Sequence, residues 1–149
     1  MRKRKYKKYN QGIFTPKNKD KFIGTKAFYR SGLELKFMCF CDNNPNVLKW
    51  GSENVIIPYF LPTDKKMHRY YVDNFVIIKE GSQISKYLIE IKPLKQTRPP
   101  KESKRRNPQH LLYEKAMYAK NQAKWAAARS FCKKHKLKFL ILTENDLKP

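Results

Sequence analysis

Three ionisable residues stand where strands ordinarily carry aliphatic side chains: Asp73 in YYVDNF, and Glu90 and Lys92 in KYLIEIKP. Residues two apart project from the same face of a strand, so Glu90 and Lys92 share a face, and side-by-side pairing of the two segments brings Asp73 to them. Mg²⁺ or Mn²⁺ keeps several waters and needs only one or two carboxylates plus a substrate phosphate. Asp73 and Glu90 meet that need for one or two ions, with the backbone carbonyl of Ile91 as a third protein ligand. Hydrolysis of a phosphodiester needs a nucleophilic water, charge stabilisation in the transition state and capture of the leaving oxygen, and a bound cation contributes to all of these. Lys92 faces the same side, where its ammonium orients the water and offsets the developing negative charge. A role as base would require its pKa to fall, so the electrostatic role carries more weight.

A D…ExK pattern alone is weak, because acids and lysines are common at the ends of solvated strands. The flanks strengthen it: YYV precedes Asp73 and YLI precedes Glu90, so both acids lie in or at the end of core-grade strands.

The surrounding chain is strongly basic. With 34 Lys plus Arg against 12 Asp plus Glu, 149 residues carry a formal charge of +22, which calls for an anionic partner. Nucleic acid fits best, since a phosphate array rewards each neutralised charge through counterion release. No amphipathic or lipidated anchor, apolar span or signal segment is evident, which leads us to expect a soluble intracellular protein with no membrane partner. Cys39, Cys41 and Cys132 read as reduced thiols, and the scattered histidines do not complete a zinc set.

The length fits one domain with appendages. Residues 1–21 read as a basic arm: six of the first eight are Lys or Arg, with Tyr6 and Tyr9 interleaved. Arg2, Lys3, Arg4 and Lys5 are its phosphate-tracking candidates, and a merely solvated tail is the other reading. Residues 22–149 form the expected catalytic domain. Ser31 and Glu34 match a capping box and start a helix, which Asp42-Asn43-Asn44-Pro45 stops. A three-stranded antiparallel meander should follow, over Val55–Leu61, Arg69–Ile78 and Lys86–Lys92, with Pro58 marking an edge or bulge. Residues 93–108 carry four prolines and six Lys or Arg and form a loop. A long helix runs from Gln109 to about Lys136, and the apolar run LKFLIL (residues 137–142) suggests a strand buried on both faces and parallel to a neighbour. The order predicts an α/β fold with a mixed central sheet flanked by helices.

The pattern resembles the PD-(D/E)xK nuclease superfamily, in which an acid on the second strand, a Glu-x-Lys on the third and often a Glu on the preceding helix form the active site. The resemblance implies a restriction-endonuclease-like core and a Mg²⁺-dependent endodeoxyribonuclease, with Asp73, Glu90, Lys92 and Glu34 as catalytic residues. Val72 stands where the superfamily usually has proline. The stretch NQAKWAAARSFCKKHKLKFLILTEND is similar to Tn7-type transposon-end endonucleases. KKYNQGIFTPKN, YRSGLELKFM and IEIKP resemble the head completion nucleases of T-even-like bacteriophages over nearly the full length. This last resemblance implies action on double-stranded DNA at the packaged head, trimming or preparing its end, with portal or neck proteins as neighbours, in the host cytoplasm during assembly or in the virion.

Several residues have two readings. Glu53 competes with Glu34 as the auxiliary acid, although a solvated turn suits it better. Gln122 and Lys124 either contact phosphate or sit on a solvated helix face. Trp125 reads as a core anchor before a base-stacking platform. Lys101, Lys104, Arg105 and Arg106 either clamp DNA as a flap or are solvated. The competing functions are a non-catalytic DNA-binding plug with a latent site and a basic RNA-associated protein; the second leaves Asp73 and Glu90 without a role.

Overall fold

The computed structural model describes residues 11–147, so Arg2, Lys3, Arg4 and Lys5 lie outside the described residues. In chain order the elements are β1 (Gly12–Phe14), β2 (Phe22–Ile23), β3 (Ala27–Tyr29), α1 (Gly32–Asn43), β4 (Val47–Ser52), β5 (Ile56–Leu61), β6 (Lys66–Tyr71), β7 (Asn74–Glu80), β8 (Gln83–Ile91), α2 (Pro108–His135) and β9 (Lys138–Leu142), with one 3-10 turn at Leu94–Thr97. Five strands form the central sheet in the order β2-β4-β7-β8-β9. β4, β7 and β8 run antiparallel in sequence, while β2 and β9 join the two edges in parallel. This is the expected mixed α/β sheet with flanking helices, consistent with a restriction-endonuclease-like arrangement.

Side chains alternate across a strand, and β8 shows which helix covers which face. Ile89 and Ile91 join Phe37, Met38 and Cys41 of α1 in a core that also holds Trp50 and Phe22, whose rings lie 4.6 Å apart. Leu88 instead packs with Trp125, Ala128 and Cys132 of α2 and with Ile57, Tyr59 and Tyr70 of β5 and β6. The helices therefore cover opposite faces, and the β5–β6 hairpin forms a separate ribbon on the α2 side. Trp125 is the core anchor its sequence context suggested, 1% exposed.

Local chemistry sets the helix ends. The Ser31 hydroxyl caps α1 by accepting from the Glu34 N–H at 3.1 Å. Asn107 caps α2 by accepting from the Gln109 N–H, and Pro108 occupies the first turn, where its missing N–H costs nothing. At the far end Lys136 adopts a left-handed conformation (φ 58°), and the Leu137 N–H returns to the Cys132 carbonyl, turning the chain directly into β9.

Several expectations are corrected. The meander exists, but its first strand is Val47–Ser52; Val55–Leu61 belongs instead to the ribbon, where Pro58 sits on a strand whose only partner among the described residues is β6. Arg69–Ile78 is not one strand, since it breaks between Tyr71 and Asn74, leaving β6 in the ribbon and β7 in the sheet. β9 is parallel to β8 as expected but is an edge strand, with Leu140 42% exposed rather than buried on both faces. Nor does an arm extend to residue 21. β1 pairs with β3, Pro16 is buried, and the Asp42 carboxylate accepts from the Lys17 and Asn18 N–H groups at 3.0 and 3.1 Å. The described thiols Cys39, Cys41 and Cys132 are free, and no described helix is long and apolar enough to cross a membrane.

Candidate active site

The even-numbered face of β8 is apolar at Leu88 and becomes ionisable at Glu90 and Lys92. Glu90 is only 6% exposed. One of its oxygens accepts from the Tyr70 hydroxyl on the ribbon, and the other lies 3.7 Å from the Lys92 ammonium. Lys92 extends the pairing with β9, its N–H donating to the Leu142 carbonyl at 3.0 Å.

Asp73 occupies the break between ribbon and sheet. Its backbone carbonyl accepts from the Glu53 N–H, and the preceding Val72 N–H donates to the Val55 carbonyl. The β7–β8 ladder ends at Asn74 and Ile89, so the Ile91 N–H has no β7 partner. The Asp73 side chain takes that place and accepts from the Ile91 N–H at 2.7 Å. The carbonyl of Ile91 lies on the same strand edge as its N–H, so it too faces Asp73.

Burial pushes the Asp73 carboxyl well above its ordinary value, and the negative charge of Glu90 adds to this, against the opposing hydrogen bond from Ile91. Burial likewise raises Glu90, opposed by the Tyr70 hydroxyl and by Lys92 and Lys124. Desolvation lowers the Lys124 ammonium, which sits 5.4 Å over the Tyr70 ring, while the charge of Glu90 acts the other way. Two carboxylates crowded together in low dielectric are relieved by a cation between them. The oxygen donor set fits Mg²⁺ or Mn²⁺: two carboxylates and a strand-end carbonyl, the remaining positions left to water and phosphate. Among the described residues no group of three or more His, Cys, Asp or Glu side chains forms a metal cluster, so the donors are too few for an all-protein cage.

Asp73, Glu90, Ile91 and Lys92 line one cleft of ≈500 Å³, together with Glu34 and Lys124. Glu34 reaches it from the first turn of α1, where one of its oxygens accepts from the Arg30 N–H at 3.0 Å. It thus ties down the residue before the Ser31 cap, rather than the Ser31 N–H of a full capping box, and contributes negative charge to the cleft. Glu53 is no alternative to Glu34, since both line the cleft; Glu53 forms an ion pair with the Arg30 guanidinium.

The other nucleic-acid candidates lie elsewhere. Gln122 is not part of the cleft lining. Lys101 and Arg106 border a second cavity, and Arg106 pairs with Glu114 at 2.6 Å. Lys104 and Arg105 are exposed on the loop.

Sequence reasoning missed Arg30, Arg69, Tyr70 and Tyr71, all of which line the cleft. Arg30 carried a faint signal through its position next to the capping Ser31. The ribbon residues carried none, because they reach the cleft only through the break at Asp73.

Residues 44–144 match the family described as TnsA-like endonuclease N terminal. That span contains Asp73, Glu90, Lys92 and Lys124 and begins after Glu34. The chain is also similar to a protein named head completion nuclease from Enterobacteria phage T4, with 37% identity over 147 residues, covering 92% of this chain and 93% of that protein.

Proposed function

Because the chain belongs to the TnsA-like endonucleases and is kin to a head completion nuclease over nearly its full length, we propose that it is a metal-dependent DNA nuclease that trims or prepares packaged DNA ends during phage head completion. The observation that carries the metal-dependent chemistry is the meeting of a buried acid, Glu90, and a half-buried one, Asp73, with Lys92 in one cleft of a chain of formal charge +22. Asp73, Glu90 and the Ile91 carbonyl would hold Mg²⁺ or Mn²⁺, which supplies Lewis acidity and an acidified water when bound.

The protein's own groups do the rest. Tyr70 fixes one oxygen of Glu90, so the other is left toward Lys92. The Lys92 ammonium orients the attacking water and offsets charge on the pentacoordinate phosphorus. Lys124 and Arg69, which line the same cleft, hold the phosphate in line. Double-stranded DNA is the substrate, and portal or neck proteins are its neighbours at the filled head.

Cleavage of duplex DNA should require Mg²⁺ or Mn²⁺, stop in EDTA and disappear in Asp73→Ala while DNA binding is largely kept. Undiminished cutting by the variant, or by the wild type in EDTA, would refute the proposal.

A further inference from the structure

A second, larger cavity of ≈960 Å³ lies between the Pro-rich loop and the first half of α2. The cleft is bounded by charge. The cavity walls are largely apolar, built from Tyr113, Met117 and Tyr118 on α2 facing Pro99 and Pro100 on the loop. Its volume lies in the range of small-molecule sites, about 300–1,000 Å³.

Three observations indicate the occupant. First, Asn121 lines the cavity although it is only 3% exposed, and no hydrogen bond among the described residues engages its amide. The amide is not among the buried groups without a partner, so it opens into the cavity, where it offers both a donor and an acceptor. Second, the lining carries Lys95, Arg98 and Lys101, none of which forms an ion pair among the described residues. Against them stand two acids, Glu114, which pairs with Arg106, and Glu144, which accepts from the Leu94 N–H, so positive charge is in excess toward an anion. Third, the cavity and the cleft are lined by neighbouring stretches of the same two segments. Asn121 lies one helical turn before Lys124, and Leu94, at the cavity edge, follows Lys92 by two residues.

We infer that this cavity is a subsite for an unpaired nucleotide of the DNA strand next to the phosphate that is cut. The base would enter between the tyrosines and the prolines, its edge meeting the Asn121 amide and its phosphate the lining cations. Aromatic faces and a polar amide suit a splayed-out base, whereas the edges of a paired base are occupied and its faces stacked. The inference rests on the nuclease reading for the meaning of the neighbouring cleft. It specifies a substrate class: duplex DNA with a branch, gap or frayed end at the cutting point.

The test is a binding measurement in EDTA, so it does not depend on metal or cleavage. The full chain is titrated against a duplex, and against the same duplex carrying a few unpaired nucleotides at one junction, one of them a fluorescent purine analogue. The branched DNA should bind roughly tenfold tighter or better, with the analogue fluorescence changing on binding. Tyr113→Ala, at an exposed position and therefore safe for folding, and Asn121→Asp should each pull the branched-to-duplex affinity ratio toward one. Millimolar free deoxynucleotide should not displace the strand. A wild-type ratio near one, a ratio unmoved in Tyr113→Ala, or full displacement by free nucleotide would each overturn the inference. The last would assign the cavity to a free nucleotide instead. Loss of cleavage with the ratio intact would count against the nuclease reading and leave the subsite standing.

Discussion

The two faces of β8 are nearly equally buried and serve opposite ends. Toward α1, Ile89 and Ile91 are 3% and 5% exposed in a core of aromatic and aliphatic groups. Toward α2, Leu88 is sealed with Trp125, but the next residue on that face is Glu90, and after it Lys92. The difference teaches that the site is not a surface feature added to a finished core. It is the end of the second core, where aliphatic cover gives way to carboxylates that keep the low dielectric without the apolar contacts. That dielectric is why each charge there acts strongly on its neighbours.

The largest effect should come from the ionisable face. Glu90→Gln keeps shape and removes charge, so cleavage should fall about a thousandfold while circular dichroism is unchanged. If the rate survives, the two faces do not differ in function. Next, Ile89→Ala on the opposite face should cost about 2–4 kcal/mol in denaturant unfolding, with the rate per folded molecule unchanged. A rate that falls with stability intact would erase the contrast.

A third experiment reads the charge of the core end directly. The folded-state pKa values of Asp73 and Glu90 are raised, so their contribution to stability is fully present below the ordinary carboxylate range of about 4 and is lost as pH rises through the raised values. The metal-free protein should therefore show a Tm that declines as pH rises through the acidic range toward neutrality. Asp73→Asn should flatten the decline and raise the neutral Tm by a few degrees, while Mg²⁺ should raise the wild-type Tm most at the higher pH. A Tm that climbs with pH would contradict the crowding of the two acids. The smallest effect should come from Tyr70→Phe, which frees one oxygen of Glu90 without disturbing either core. The Mg²⁺ concentration for half-maximal cleavage should rise about tenfold, and an unchanged value would remove Tyr70 from the site.

Much of the arrangement was legible before the fold. The Ser31 cap, the long helix with its alanines, the Glu90–Lys92 pair and the parallel final strand all follow from local spacing. What escaped notice depended on non-local facts. RYYVDNFVII reads as one long apolar run interrupted only by Asp73-Asn74, a pair that a single strand could also carry, so the pattern does not show that the chain leaves one sheet and enters another at Asp73. VLKWGS hid as a strand because a register shift between Val47 and Lys49 breaks its alternation. The run LKFLIL is apolar enough for a central strand, yet nothing in it says that no further strand of the described residues pairs beyond it. The cleft arginines come from the turn before α1 and from the ribbon, and only the folded chain brings them together.

Asp73 has no regular element of its own. It is held by three hydrogen bonds, through its own carbonyl, through its side chain and through Val72, to residues 53, 91 and 55. Such an acid reaches its position only after β4, the ribbon and β8 have all assembled. A nascent or locally opened chain would thus carry the right residues but no cutting centre. The position of the acid is a property of the assembled sheet and ribbon together, and of neither alone.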